Sequence, residues 1–385
     1  MATPPELLQS AYANALLHIK DSFISDNSIR DRVEFVCRCL QNRAGARVLL
    51  ASLLAKIHNP LIDIRKPYTE IGGADTYSGR RYDEIYVATF VNDYQLPCNS
   101  TTAFLTPAFR NRNATLTPDL NMVGRPARLY RDLLQLLTDV HESKVAPDIL
   151  LAETIRFLLI IRDEKRLRMG TLLVGLQSTD DAPPLSVAQI MTLLDQHLKT
   201  KGASRLPVLI VAAAYKSASD HLGERVLPLE RHNAADEQTG ALGDLDITLA
   251  DDNRVVTSYE MKLKRVKRED IDRALQKIQN SQKRIDNYIF ITTDVIEESV
   301  VQYAATIYEN TGGIEVTILD CLSFINHFLH LFYRLRTMFL ETYQQMVLEE
   351  PDSAISQPVK ETFLVLRQAA ESGEATNGEF PVNDQ

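Results

Sequence analysis

The stretch GDLDITLADDNRVVTSYEMKLK, residues 243–264, carries the main fold signal of the C-terminal half of this chain. Two runs rich in β-branched residues, LDITLA and RVVTSYEMKL, meet at the turn-forming sequence ADDN, which predicts a β-hairpin. Side chains two apart on a strand share a face, so Asp244 and Asp246 point the same way, as do Glu260 and Lys262. The hairpin therefore predicts a cluster of carboxylates beside one ammonium group.

Such a cluster suits metal-assisted hydrolysis. An aspartate from the first strand and Glu260 from the second would offer the oxygen ligands that Mg²⁺ prefers. Lys262 would orient an attacking water and stabilise developing negative charge. The alternative is an exposed hairpin whose charged side chains face water. Two features favour the site: its carboxylates lie at strand ends rather than in the turn, and the second strand is otherwise apolar.

A third feature is the basic segment that follows the hairpin. Residues 262–284 hold nine Lys and Arg against three acids, a local charge of +6 in a chain of net charge −9. Cations beside an acidic metal site are what phosphodiester hydrolysis requires, because they hold the neighbouring phosphates. The residues expected to contact a DNA backbone are Lys264, Arg265, Lys267 and Arg268.

The surrounding pattern predicts a mixed α/β (α+β) fold, with a central mixed sheet flanked by helices and a mostly helical N-terminal region. Apolar strands such as YIFIT (288–292) indicate burial on both sheet faces. We expect three segments: a helical region over 1–180, a sheet-containing core over 181–349, and a tail over 350–385. The tail is predicted to hold a short helix near 357–370 and a disordered end.

Two further helices are predicted in the second half. Ser186 precedes the run VAQIMTLLDQHLK and is expected to be the N-cap of a helix. Residues 321–348 are predicted to form one long helix, whose apolar side chains could belong to the core or to an interface.

The order helix, strand, hairpin, helix, strand around GDLDI and YEMK resembles the catalytic core of the PD-(D/E)XK nucleases. That pattern normally has proline before the aspartate, whereas Gly243 or Leu245 stands there in this chain. Members that read G-E-I-D make Asp246 the counterpart of the metal ligand and Asp244 an accessory acid. The resemblance therefore implies Mg²⁺ on Asp246 and Glu260, with Lys262 and Asp244 completing the catalytic set.

A wider resemblance covers most of the chain. The segments IGGADTYSGRRYDE, LTPAFRN, VGRPARLY, HNAADEQTGALGDLDITL and YEMKLKRVKREDID together look like the SacI-like type II restriction endonucleases. The resemblance implies a bacterial enzyme that cuts double-stranded DNA within a short specific sequence and leaves 5′-phosphate ends. It also implies a restriction–modification system, in which a DNA methyltransferase is the genetic partner.

The residues predicted to read DNA bases lie outside the hairpin. Arg80 and Arg81 in the segment 72–84, expected to be an ordered loop, could contact guanine or phosphate. Asn233 and Gln238 precede the hairpin, and their amides suit adenine. A polar surface loop remains the alternative for both segments.

Composition limits the remaining possibilities. The 45% apolar and 24% charged residues are typical of a globular protein, and no apolar run approaches the ~20 residues of a membrane span. Four irregularly spaced cysteines favour a reducing cytoplasm. A homodimer is expected, because two-fold protein symmetry would match a palindromic DNA site. The competing functions are a structure-specific or repair nuclease of the same fold and a non-catalytic DNA-binding protein.

Overall fold

A computed structural model describes residues 2–39, 42–99, 101–110, 113–177, 184–229, 241–252, 254–281 and 285–372. The chain forms two compact units, Met1–Met169 and Gly170–Gln385. The first unit is helical, and the second contains a five-stranded mixed sheet with helices around it. The predicted fold class is therefore confirmed.

The first unit is built around a buried helix. Its α-helices are α1 (Pro4–Leu17), α2 (Asn27–Arg38), α3 (Ala44–His58), α4 (Gly79–Tyr82), α5 (Ala88–Asp93), α6 (Ala127–His141) and α7 (Pro147–Gln177), which continues beyond Met169. Every residue of α3 from Ala44 to Ala55 is buried, and α3 packs against α1 and α6. A helix that is buried on all sides obtains its stability from the core around it.

The prediction of a loop over residues 72–84 is wrong from Gly79 onward. Helix α4 begins there, with Ser78 as its N-cap, and a single π-helical turn (Asp83–Val87) joins it to α5. The cause is tertiary, because the buried Asp83 carboxylate pairs with Arg47 and accepts a hydrogen bond from the backbone N–H of Ala103 at 2.7 Å. These partners lie far away in sequence, so no local pattern could indicate them.

The sheet of the second unit comprises β1 (Glu224–Val226), β2 (Leu245–Leu249), β3 (Val255–Lys262), β4 (Asn287–Thr292) and β5 (Glu315–Asp320), in that spatial order. The pairs β1–β2 and β2–β3 are antiparallel, which confirms the hairpin, while β3–β4 and β4–β5 are parallel. Parallel neighbours need crossover connections. Helices α10 (Arg268–Ser281) and α11 (Glu298–Thr311) supply them.

Two tyrosines show how the sheet faces differ. Tyr259 of β3 contacts Tyr215 through their hydroxyl groups at 2.6 Å and contacts the ring of Phe324. Tyr288 of β4 instead belongs to an apolar cluster with Ile271 of α10 and Ala304 of α11. The catalytic side chains predicted from the sequence lie on the Tyr288 face.

The remaining helices are α8 (Val187–Leu198), α9 (Leu206–Leu222), α12 (Cys321–Leu331), α13 (Arg336–Glu349) and α14 (Gln357–Ser372). Helix α14 confirms the short helix predicted for the tail, whereas the predicted disorder falls on residues 373–385, outside the described residues. No helix within the described ranges is long and apolar enough to cross a membrane.

The prediction of a single helix over residues 321–348 is wrong. The chain leaves α12 at Phe332, makes a 3₁₀ turn over Tyr333–Leu335 and starts α13 at Arg336. Glycine and proline are absent from this stretch. The Arg336 guanidinium donates to the carbonyl oxygen of Leu185 at 3.0 Å, and α13 packs along α9. The docking of α13 therefore coincides with a break between two helices that the spacing of apolar residues does not predict.

Candidate active site

Strand register brings the predicted catalytic residues together. Asp246 of β2 pairs with Ser258 of β3, which in turn pairs with Tyr288 of β4. Glu260 and Lys262 follow Ser258 at two-residue steps, so the alternation of a strand puts all these side chains on one face. The face is not uniformly open to solvent, because Asp246 is 7% exposed whereas Asp244 is exposed.

Asp246 is held in one orientation by three hydrogen bonds. Its Oδ2 accepts from the backbone N–H of Leu242 at 3.0 Å. Its Oδ1 accepts from the backbone N–H of Gly243 at 3.2 Å and from the Ser258 hydroxyl at 2.6 Å. A carboxylate group offers about four acceptor positions, so these bonds to described residues leave one position for a further ligand. Carboxylates that bind metals are commonly oriented in this way by neighbouring donors.

Gly243, the residue before Asp244, lies against the backbone of β3. A Cβ atom at Gly243 would collide with the backbone carbonyl oxygen of Tyr259. Proline would add that steric conflict and would also remove the N–H that Gly243 donates to Asp246. Glycine is therefore the residue that allows β2 and β3 to approach here.

Asp244 lies beside the end of β3 that carries Glu260. Its backbone N–H donates to the carbonyl oxygen of Tyr259 at 2.8 Å, and its Oδ2 accepts from the backbone N–H of Met261 at 2.7 Å. Asp244 therefore lies beside the two chain neighbours of Glu260, and Asp246 lies opposite Ser258, two residues before Glu260. The assignment of Asp246, rather than Asp244, as the main metal ligand stays a prediction.

Tyr288 is a member of the site that no sequence motif indicated. Its hydroxyl lies 2.5 Å from Glu260 Oε2 and 3.2 Å from the carbonyl oxygen of Leu242. Burial raises the pKa of Tyr288, and the charges of Glu260, Asp244 and Asp246 raise it further. The phenol therefore keeps its proton and acts as a hydrogen-bond donor to Glu260. A tyrosine inside the apolar strand NYIFIT was the only sequence feature that could have indicated it.

Lys262 lies between two carboxylates. Its Nζ is 2.6 Å from Glu260 Oε1 and 3.5 Å from Asp270 Oδ1 on α10. Burial alone would lower the pKa of Lys262, but the hydrogen bond to Glu260 and the charges of Glu260 and Asp270 outweigh it and raise that pKa. Lys262 is consequently a stable ammonium group, suited to electrostatic work rather than to abstracting a proton.

The oxygen-rich donor set of this face suits Mg²⁺. Within the described residues no group of three or more His, Cys, Asp or Glu is arranged to hold a metal ion. Mg²⁺ ordinarily uses only one or two protein carboxylates and completes its coordination with water and substrate phosphate. Asp246, Asp244 and Glu260 offer carboxylate oxygens of that kind, and Glu260 would have to exchange its contact with Lys262 for the ion.

Exposed cations follow β3. Lys264 and Lys267 are exposed between β3 and α10. Arg265, also exposed, pairs with Glu297, and the Arg268 guanidinium lies 5.2 Å from the ring centroid of Tyr303. All four predicted backbone-contact residues are thus on the surface, two of them already engaged within the protein.

The predicted base-reading residues belong to separate parts of the chain. Arg80 and Arg81 are exposed on α4 of the first unit, and Arg80 pairs with Glu84 at 2.7 Å. Asn233 and Gln238 lie outside the described residues. The DNA-binding role of all four stays a prediction.

The comparison with known families bears on the segment that contains the hairpin. Residues 184–293 match the family model of the SacI restriction endonuclease C-terminal domain. This segment, less than a third of the chain, is therefore a restriction endonuclease domain. Over these residues the match confirms the resemblance to the SacI-like family seen in the sequence. The matched range includes Asp244, Asp246, Glu260 and Lys262, together with Asp270 and Tyr288. No curated protein matches the chain.

Proposed function

We propose that this chain is a type II restriction endonuclease. It hydrolyses double-stranded DNA within a short specific sequence, depends on Mg²⁺ and leaves 5′-phosphate and 3′-hydroxyl ends. The observation that carries the proposal is the row of Asp246, Glu260 and Lys262 on adjoining strands, within a segment of restriction endonuclease family. Three carboxylates beside one ammonium, followed by exposed cations, suit phosphodiester hydrolysis.

The side chains divide the work by their surroundings. Asp246 and Glu260 would hold the metal with support from Asp244, and the ion would supply a Lewis acid that polarises the phosphate to be cut. Lys262, kept charged by its two carboxylate neighbours, orients the attacking water and stabilises the negative charge that develops on the phosphate. Lys264 and Lys267 contact phosphates on either side of the cut.

The proposal is tested with unmethylated plasmid and phage DNA of several sequences. Purified protein should produce discrete fragments with Mg²⁺, and EDTA should stop the reaction. Failure to cut any template would overturn the enzyme and leave a DNA-binding protein. Cutting confined to forks or mismatches would instead indicate a structure-specific or repair nuclease.

The two aspartates are predicted to differ. Asp244→Ala is expected to slow cleavage by about 10- to 100-fold, the range found for residues that support a metal ligand. Asp246→Ala should cause the larger loss, because it removes a ligand and leaves the N–H groups of Leu242 and Gly243 without their acceptor. Cleavage rates of the two purified variants at saturating Mg²⁺ decide the order. An inactive Asp244→Ala beside an active Asp246→Ala would reverse the assignment.

Sequence specificity is assigned to the first unit. Arg80→Ala or Arg81→Ala is expected to reduce discrimination between cognate and scrambled duplexes by about 1–3 kcal/mol, the contribution of a bidentate contact to guanine. The measurement is duplex binding at several salt concentrations. Arg131→Ala, which removes an exposed arginine of α6 in the same unit, is the matched control. Equal weakening on both duplexes would make these arginines phosphate contacts instead.

The proposal extends to partners and place of action. A DNA methyltransferase of the same specificity protects the host DNA, and the enzyme acts in the bacterial cytoplasm as a homodimer. The exposed Leu331 and Met338 at the break between α12 and α13 offer apolar area for such a dimer. Sedimentation of a monomer, both free and on cognate DNA, would rule the dimer out.

A further inference from the structure

A buried carboxylate of α10 gives Lys262 a second acceptor. Asp270 is 8% exposed and lies 3.5 Å from Lys262 Nζ. Its place is fixed by the helix start, because Oδ2 accepts from the backbone N–H of Lys267 at 2.9 Å, as in a capping box. Its Oδ1 also pairs with Arg273, whose side chain is 71% exposed. Asp270 is therefore an acceptor in a fixed position. Its second cationic partner, Arg273, faces solvent.

The two roles proposed for Glu260 and Lys262 conflict unless such an acceptor exists. Glu260 Oε1 is bound to Lys262 at 2.6 Å, while Oε2 faces Tyr288. When Glu260 binds Mg²⁺, Lys262 loses its closest partner and lies near a divalent cation. An ammonium that is 29% exposed cannot recover full hydration there, so losing its partner costs stability.

We propose that Asp270 is a positioning residue that receives the Lys262 ammonium when Glu260 binds Mg²⁺. This inference rests on the proposed function of the Glu260 site. In the metal-free protein, Asp270 shares Lys262 and so weakens its hold on Glu260. In the metal-bound protein, it keeps the ammonium within the site, where Lys262 orients the attacking water. Burial opposes the charge of Asp270, but hydrogen bonds from Lys267 and Arg273 and the charge of Lys262 outweigh it and lower its pKa.

The test is the affinity for Mg²⁺ alone, measured by isothermal titration calorimetry on the full chain. Asp270→Asn keeps an acceptor for the Lys267 N–H but loses the charge that attracts Lys262. We expect roughly five- to tenfold weaker Mg²⁺ binding, the size of a partly buried ion-pair interaction. Glu269→Gln removes the same charge from the neighbouring exposed position and controls for long-range electrostatics.

A second comparison separates positioning from a structural role. In a Lys262→Met background, Asp270→Asn should weaken Mg²⁺ binding no more than Glu269→Gln does, because the residue through which Asp270 acts is gone. Asp270→Gln, which suits the capping-box position, replaces Asp270→Asn if the latter unfolds. Persistence of the full effect in the Lys262→Met background would overturn the inference.

The outcomes also distinguish this inference from the proposed function. A wild-type protein that cleaves DNA and binds Mg²⁺, beside an Asp270→Asn variant that matches Glu269→Gln, would overturn the role of Asp270 alone. A wild-type protein that neither binds Mg²⁺ nor cleaves would overturn both.

Discussion

Replacing Glu260 with alanine is expected to lower the DNA cleavage rate by at least about 10³-fold, equivalent to roughly 4 kcal/mol of transition-state stabilisation. The substitution removes a proposed metal ligand and leaves Lys262 with Asp270 as its carboxylate neighbour. DNA binding should be unchanged or tighter, because a negative charge facing the phosphates has been removed. Single-turnover cleavage and duplex binding in Ca²⁺ measure the two effects separately.

Two variants make the Glu260 result interpretable. Glu269→Ala removes an exposed carboxylate near the same strand end and should cleave as the wild type does. Lys262→Met should lose cleavage while retaining Mg²⁺ binding, since the lysine is not a ligand. A Glu260→Ala protein that still cuts at more than a tenth of the wild-type rate would contradict its role as a ligand.

Asp83→Ala is expected to destabilise the first unit by about 3–5 kcal/mol, the range for breaking a buried ion pair from one side. Asp83 and Arg47 have side chains only 0% and 2% exposed. The variant leaves the Arg47 charge buried without its carboxylate. It also removes the acceptor for the Thr102 hydroxyl and the Ala103 N–H, both at 2.7 Å. Leaving such hydrogen-bond donors without an acceptor in a core is destabilising.

The measurement must report on the unfolding of the first unit alone, because the two units need not unfold together. Amide hydrogen exchange of peptides from α3 and from residues 79–93 reports on the first unit directly. Glu84→Ala is the control at the next position, where the exposed pair with Arg80 should contribute about 0.5 kcal/mol. Equal exchange in the two variants would show that the buried pair is dispensable.

Asp83 also links stability to the proposed recognition role. Arg80 and Arg81 lie on α4, and the π-helical turn that begins at Asp83 follows it directly. Anchoring of Asp83 by Arg47 therefore fixes the position of both arginines. We attribute the departure from the predicted loop in this segment to that anchor.

Local sequence patterns are sufficient to specify the main strands of the second unit. Strand alternation and the ADDN turn specify the hairpin, and the apolar run NYIFIT specifies a buried strand. Ser186 illustrates a local rule that holds: as predicted, its hydroxyl caps α8, accepting from the Gln189 N–H at 3.2 Å, and Gln189 accepts in return from the Ser186 N–H. Each of these features depends on residues within a few positions of one another, which is why they can be inferred from sequence.

Strand period likewise predicts that Asp246, Glu260 and Lys262 share one face of the sheet, but it leaves open how each side chain is held. Ser258 and Tyr288 become neighbours of the site only through the register of β2, β3 and β4. Asp270 comes within 3.5 Å of Lys262 through the docking of α10 on the sheet. Several of these contacts join residues on separate elements, so their pairing depends on how those elements pack.

The break at Phe332 and the helical turns after Ser78 depend on tertiary contacts. At both places the local sequence permits another conformation, and the choice follows from partners elsewhere in the chain. Arg336 bonds the carbonyl oxygen of Leu185, and Asp83 pairs with Arg47. The physical reason is the same in both cases. Local propensities differ by fractions of a kcal/mol per residue, whereas satisfying a buried charge or docking an apolar helix face contributes several kcal/mol.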